Sequence, residues 1–105
     1  MEPTSQSTEP SRAEVDALAG AAVLEFGASW CEHCRAAQPL VSAAMAKFPG
    51  VRFIWVEDGK GRPLGRSFGV KLWPTLVFLK DGREVERLVR PADARLIEGA
   101  LGKIA

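Results

Sequence analysis

The sequence predicts an α/β fold in which helices cover both faces of a mixed four-stranded sheet. Apolar runs of strand length alternate with amphipathic segments of helical period, a pattern that favours this layered arrangement. The chain has 105 residues, 47% of them hydrophobic, which suits one domain with a modest core. We expect a flexible, polar tail at residues 1–10 and a single domain over residues 11–105.

The domain is predicted to begin with a short helix and a buried strand. Ser11 and Glu14 have the spacing of a capping box, which places a helix at residues 12–19 before a terminating glycine. Residues 21–28 are almost continuously apolar, as in a strand buried on both faces. Glu25 interrupts this run, and we expect it to be either a buried acid or a solvent-facing strand residue.

A second helix and a second strand follow. Residues 32–48 have an apolar stripe of helical period, and Pro39 within it predicts a kink because proline removes one helical hydrogen bond. The predicted inner face consists of Ala36, Ala37, Leu40, Val41, Ala44, Met45 and Phe48. Residues 51–56 are β-branched and aromatic, which predicts a strand with Trp55 in the core.

The next part of the chain predicts a loop and a hairpin. Residues 57–72 are rich in glycine and predict a loop with one or two helical turns near residues 63–68. Residues 75–79 and 84–89 are predicted strands, and Asp81-Gly82 between them is a strong hairpin signal.

A final helix is predicted from Pro91, because proline suits the first turn of a helix. This helix is amphipathic and would cover one face of the sheet. Its predicted inner face consists of Leu96, Ile97, Ala100, Leu101 and Ile104.

Charge and hydropathy weigh against several classes of partner. Fourteen basic and thirteen acidic side chains give a formal charge of +1, so we expect no nucleic-acid or membrane-surface binding. No apolar run approaches the roughly 18 residues of a membrane-spanning helix. The N-terminal residues lack the apolar core of a signal peptide, which leads us to expect a cytoplasmic protein.

The two cysteines, Cys31 and Cys34, lie where the first strand gives way to the second helix. Residues at i and i+3 of a helix are neighbours, so the two sulfur atoms can form and break a disulfide with little backbone movement. Cys31 at the helix start faces unpaired N–H groups, which favour its thiolate form. Redox activity is the favoured interpretation. Inert thiols and a zinc site that uses His33 across a dimer are the alternatives.

Several motifs resemble those of the thioredoxin family in order and approximate spacing. The residues that carry the resemblance are Val23 to Cys34, Pro39, Trp73-Pro74-Thr75 and Lys80-Asp81-Gly82. A WCxxC motif followed five residues later by proline, with a distant x-Pro-Thr before a strand, is specific to that family, whereas CxxC alone is not. The resemblance covers residues 11 to the C-terminus and implies the thioredoxin fold.

The resemblance also implies roles for individual residues. Cys31 would attack a target disulfide, and Cys34 would resolve the mixed disulfide. Pro74 would be a cis proline beside the dithiol, leaving the backbone of Trp73 free to pair with an extended substrate segment. Trp30 is expected on the substrate-facing rim, while Trp73 fits either rim or core.

The chain departs from the family pattern in three places. Glu25 stands where the family usually has aspartate, and burial there predicts a raised pKa and a role as proton relay for Cys34. Trp55 occupies the strand position where a lysine often neighbours that acid. Residues 1–10 offer no convincing counterpart of the family's first strand, so we expect four strands, or five if that segment pairs.

The dipeptide between the cysteines, Glu32-His33, replaces the Gly-Pro usual in thioredoxins. A cationic His33 would stabilise the thiolate of Cys31 and so raise the reduction potential, while Glu32 would oppose it. We expect a potential above that of thioredoxin, as in protein disulfide isomerase and DsbA.

These observations predict a thiol–disulfide oxidoreductase that reduces or exchanges protein disulfides without a bound cofactor or metal. We expect a monomer that is recycled by a reductase or a small thiol. The alternative is a thioredoxin-fold binding or chaperone module whose dithiol senses redox state without turnover. A third hypothesis is a dimeric zinc-binding module.

Overall fold

The computed structural model of the protein describes residues 9–105. Its elements follow the predicted order. The helices are α1 (Arg12–Asp16), α2 (Glu32–Met45), α3 (Pro63–Ser67) and α4 (Ala94–Ile104), and the strands are β1 (Ala21–Gly27), β2 (Arg52–Glu57), β3 (Thr75–Lys80) and β4 (Arg83–Val89). Residues 1–8 of the predicted tail lie outside the described residues.

Within residues 9–105 the four strands form one mixed sheet in the order β2-β1-β3-β4. Strands β1 and β2 are parallel, while β3 is antiparallel to both β1 and β4. The parallel pair requires a crossover, which α2 provides. This confirms the predicted fold class and four of its strands.

Helices pack on both faces of the sheet, as predicted. One face carries α2 and α4, and its core includes Val23, Val41, Phe78 and Leu101. The opposite face carries α1 and α3, and its core includes Val15, Leu24, Phe26, Leu64 and Phe68. Because β1 has apolar neighbours on both faces, its sequence is continuously apolar rather than alternating.

Several predicted helix boundaries were wrong. Helix α1 ends at Asp16 rather than at residue 19, and α2 ends at Met45 rather than at residue 48. Helix α4 begins at Ala94 instead of Pro91. The carboxylate of Asp93 accepts the backbone N–H of Arg95 and so caps α4. The helix therefore begins after Asp93, three residues later than the proline predicted.

Some predicted core residues also lie nearer the surface than expected. Trp55 is 38% exposed, because β2 is an edge strand of the described sheet, and Leu96 of α4 is 55% exposed. Ala36 is exposed as well, while Met45 and Phe48 are partly buried against the core. The remaining predicted inner-face residues of both long helices are buried or partly buried.

Candidate active site

The site forms where β1 ends and α2 begins. The carbonyl oxygen of Ala28 accepts the N–H of Cys31 at 3.1 Å, which turns the chain from strand to helix. Cys31 then serves as the N-cap residue of α2, with extended backbone angles. Its sulfur accepts the backbone N–H of Cys34 at 3.2 Å. A sulfur that receives an N–H at the positive end of a helix is stabilised when it carries negative charge.

The two cysteines are free thiols with little exposure. Cys31 is 6% exposed and Cys34 is 4% exposed, so both residues are almost completely buried. Burial, together with the hydrogen bond to Cys31, raises the pKa of Cys34 to about 12. The Cys34 thiol therefore keeps its proton near neutral pH and needs a base to become nucleophilic.

Glu25 is the nearby candidate for that base. It is fully buried in β1, and neither carboxylate oxygen has a hydrogen-bond partner among the described residues. Burial raises its pKa from 4.5 to about 7. Its charge also contributes to the raised pKa of Cys34, as expected for a neighbouring acid. The interpretation of Glu25 as a solvent-facing strand residue was wrong.

The Trp55 ring and the Cys34 sulfur both pack against Gly27 at the end of β1. Trp55 lies opposite Glu25 in the register of β1 and β2. A Cβ atom placed on Gly27 would lie 2.6 Å from the sulfur of Cys34 and 2.8 Å from the Trp55 ring. The ring and the thiol thus converge over a backbone position that only glycine leaves open.

A cavity of about 490 Å³ opens beside Cys34. It is lined by Ala28, Ser29, Cys34, Arg35, Gln38, Phe53 and Trp55. Two exposed aromatic side chains of β2, Phe53 and Trp55, therefore flank Cys34, although Trp55 was predicted to lie in the core.

The predicted substrate-facing residues gather on the other side of the dithiol. The Trp73–Pro74 peptide bond is cis, as the resemblance implied. Trp73 packs against the cluster of Ala28, Cys31 and Cys34, and its ring meets that of Trp30 edge to face at 5.6 Å between centroids. Trp30 is 68% exposed and so lies on the rim.

Two residues that the sequence did not single out hold Trp73 in place. The indole N–H donates to Asp58 at 2.9 Å. The carbonyl oxygen of Trp73 accepts the Nε–H of Arg90 at 2.7 Å. Its backbone acceptor is therefore occupied in this structure rather than free. No local sequence signal links Arg90 to a residue 17 positions earlier, which is why it was missed.

The two residues between the cysteines, Glu32 and His33, are exposed on the first turn of α2. Their position next to Cys31 fits the predicted effect on the reduction potential, which stays a prediction. Within residues 9–105, no cluster of three or more His, Cys, Asp or Glu side chains is arranged to hold a metal ion. None of the described helices has both the length and the apolar character needed to cross a membrane.

The family model described as Thioredoxin matches residues 4–102. A thioredoxin of Aspergillus fumigatus is 35% identical over 86 residues, which cover 82% of this chain and 80% of that protein. An H-type thioredoxin of Fagopyrum esculentum is 42% identical over 67 residues, which cover 64% of this chain and 58% of that protein. The structure of reduced thioredoxin 2 from Pseudomonas aeruginosa PAO1 is 54% identical, with a TM-score of 0.80, over 90% of this chain and 92% of that one.

Proposed function

Because this chain belongs to the thioredoxin family and is a protein-disulfide oxidoreductase, we propose that Cys31 is its nucleophile and Cys34 its resolving thiol. The Cys31 thiolate attacks one sulfur of a substrate disulfide, and the other sulfur leaves and takes up a proton. Cys34 then attacks the Cys31 sulfur and releases the second substrate thiol. The substrate gains two electrons, and the enzyme is left with a Cys31–Cys34 disulfide.

One observation supports this division of roles above the others. The backbone N–H of Cys34 donates to the sulfur of Cys31 at the N-terminus of α2, while Cys34 itself has a pKa raised to about 12. The Cys31 sulfur is thus the better stabilised anion, and Cys34 stays protonated until a base removes its proton.

Glu25 completes the proposed cycle as a proton relay. With a pKa of about 7, it is partly ionised at neutral pH and can accept the proton of Cys34 when that thiol attacks the mixed disulfide. The same group returns the proton when the enzyme disulfide is reduced. His33 is proposed to raise the reduction potential above that of thioredoxin, and Glu32 to oppose this effect.

The family acts on protein disulfide substrates and is recycled by a reductase. For this chain we propose that an extended segment of the substrate docks on the rim formed by Trp30, Trp73 and Pro74. We further propose a cytoplasmic monomer that a reductase or a small thiol recycles. The comparisons give no support to a sensing module without turnover.

The test is turnover of a model protein disulfide with a dithiol donor. Cys31→Ser is expected to abolish turnover, and Cys34→Ser to accumulate a mixed disulfide that a non-reducing gel separates. Ser42→Ala, on the exposed side of α2, is the control and should turn over like the wild type. Turnover that survives Cys31→Ser would contradict the assignment of roles.

A further inference from the structure

Arg90 holds the backbone on both sides of the cis bond at the substrate-facing rim. Its backbone N–H donates to the carbonyl of Pro74 at 2.9 Å, and its Nε–H donates to the carbonyl of Trp73 at 2.7 Å. The residue has a φ of 51°, in the left-handed region that non-glycine residues rarely adopt. The bond from Nε places the guanidinium at the Trp73 carbonyl, on this rim.

A groove connects Arg90 with the redox motif. Its volume is about 320 Å³, and it lies between the first turns of α2 and the segment that precedes α4. The lining residues are His33, Ala36, Ala37, Leu40, Arg90, Pro91 and Ala92. Among them, His33 and Arg90 can carry positive charge, and none carries a carboxylate. Glu32, also on the first turn of α2, does not line the groove.

The guanidinium of Arg90 has N–H donors that make no hydrogen bond to the described residues. It donates through Nε only, and among the described residues its two Nη atoms have no hydrogen-bond partner. A guanidinium has five N–H donors in a planar fork that matches a carboxylate. The Trp73 carbonyl that it covers is also the acceptor that an extended substrate would use to pair with the backbone.

We propose that Arg90 is a specificity residue that favours substrates with an acidic side chain next to the reactive cysteine. As the substrate backbone pairs with Trp73, the guanidinium leaves the carbonyl and binds the substrate carboxylate in the groove beside His33. A substrate without a carboxylate leaves the displaced guanidinium with no anionic partner. This proposal rests on the proposed function, because it concerns the docking of the same substrates.

The test uses two disulfide-linked peptides that differ only in Glu or Gln beside the reactive cysteine. The wild type is expected to reduce the Glu peptide with a kcat/KM roughly tenfold higher at low salt, the effect of one charge-assisted hydrogen bond. High salt should shrink this ratio. Arg90→Gly and Arg90→Asn, which both tolerate the left-handed backbone, should bring the ratio close to one.

Arg52→Gln is the matched control. It removes the same charge from the start of β2, at the end of the sheet opposite the dithiol, and should leave the ratio unchanged. Equal kcat/KM values for the two peptides in the wild type, or an equal loss of preference in Arg52→Gln, would overturn the role of Arg90 while oxidoreductase activity persists. Absence of turnover with both peptides would overturn the proposed function and this proposal with it.

Discussion

A carboxyl group without a hydrogen-bond partner inside an apolar strand is costly to ionise. For Glu25 this cost raises the pKa into the range in which the group can exchange a proton near neutral pH. Burial brings its pKa to about 7, where protonated and ionised forms coexist near neutral pH. The sequence predicted the raised pKa from the apolar residues on either side. The burial is confirmed, and the relay role stays a prediction.

Replacing Glu25 with glutamine tests that role. Glu25→Gln should slow resolution of the mixed disulfide by roughly 10²-fold, the usual contribution of a positioned general base. In the wild type, the rate of resolution should rise through about pH 7 as Glu25 loses its proton, and the variant should lack this rise. Rapid acid quenching of single-turnover reactions measures both.

Glu98→Gln on α4 provides the control, since Glu98 pairs with the exposed Lys47 away from the dithiol. An unchanged rate and pH profile in Glu25→Gln would contradict the proton relay.

The sequence pointed to most of the residues that the structure brings to the dithiol, but not to Arg90. Cys31, Cys34, Glu25 and Pro74 were singled out because each stands in a motif or interrupts a pattern, and their catalytic and substrate-binding roles stay predictions. Arg90 was missed because its contact with Trp73 spans 17 positions and depends on how β4 ends. Such contacts between distant segments leave no periodic signal in the chain.

Among the elements, the β3–β4 hairpin shows how turn chemistry fixes a larger arrangement. Asp81 and Gly82 have φ values of 51° and 79°, the left-handed pair that a two-residue hairpin turn requires. Asp81 also accepts the N–H of Gly20 at 2.8 Å and donates its own N–H to the Gly20 carbonyl at 2.9 Å. The turn is thereby attached to the start of β1.

Gly82→Ala should lower the free energy of unfolding by roughly 2–4 kcal/mol, measured by urea denaturation. The new Cβ would meet the backbone carbonyl of Asp16 and would also occupy a left-handed position. Gly99→Ala is the control, because Gly99 lies exposed in α4 with open space around it. That change should stabilise the protein by about 0.5–1 kcal/mol. Equal effects of the two substitutions would contradict the packing described here.

Element types were predicted correctly because long apolar runs and turn signals are local properties of the chain. Boundaries were less predictable, since the Asp93 carboxylate rather than Pro91 determines where α4 starts. The exposure of Trp55 depends on the order of the strands, which places β2 at an edge of the described sheet. Strand order is a tertiary property, so periodicity alone does not give it.

At the scale of the whole molecule, apolar cores cover both faces of β1, one of the two inner strands of the described sheet. Glu25 sits in this strand, so its protonation affects the stability of the entire fold. The protonated form is favoured in the folded state, and the unfolded chain releases its proton at a lower pH. Stability is therefore greatest below the unfolded pKa and declines as the pH rises through the folded one.

The reduced protein should lose about 3 kcal/mol of unfolding free energy between pH 4.5 and about pH 7 through this one group. Urea denaturation across that range measures the loss, and Glu25→Gln should remove it. A wild type and a variant with parallel pH profiles would contradict the burial of an ionisable Glu25.

The positions of the aromatic side chains have an optical consequence. The chain has three tryptophans and no tyrosine. Trp30 and Trp73 touch beside the sulfur atoms, and Trp55 borders the cavity at Cys34. Tryptophan emission from the folded protein therefore originates around the two sulfur atoms, and we expect it to change when they form a disulfide.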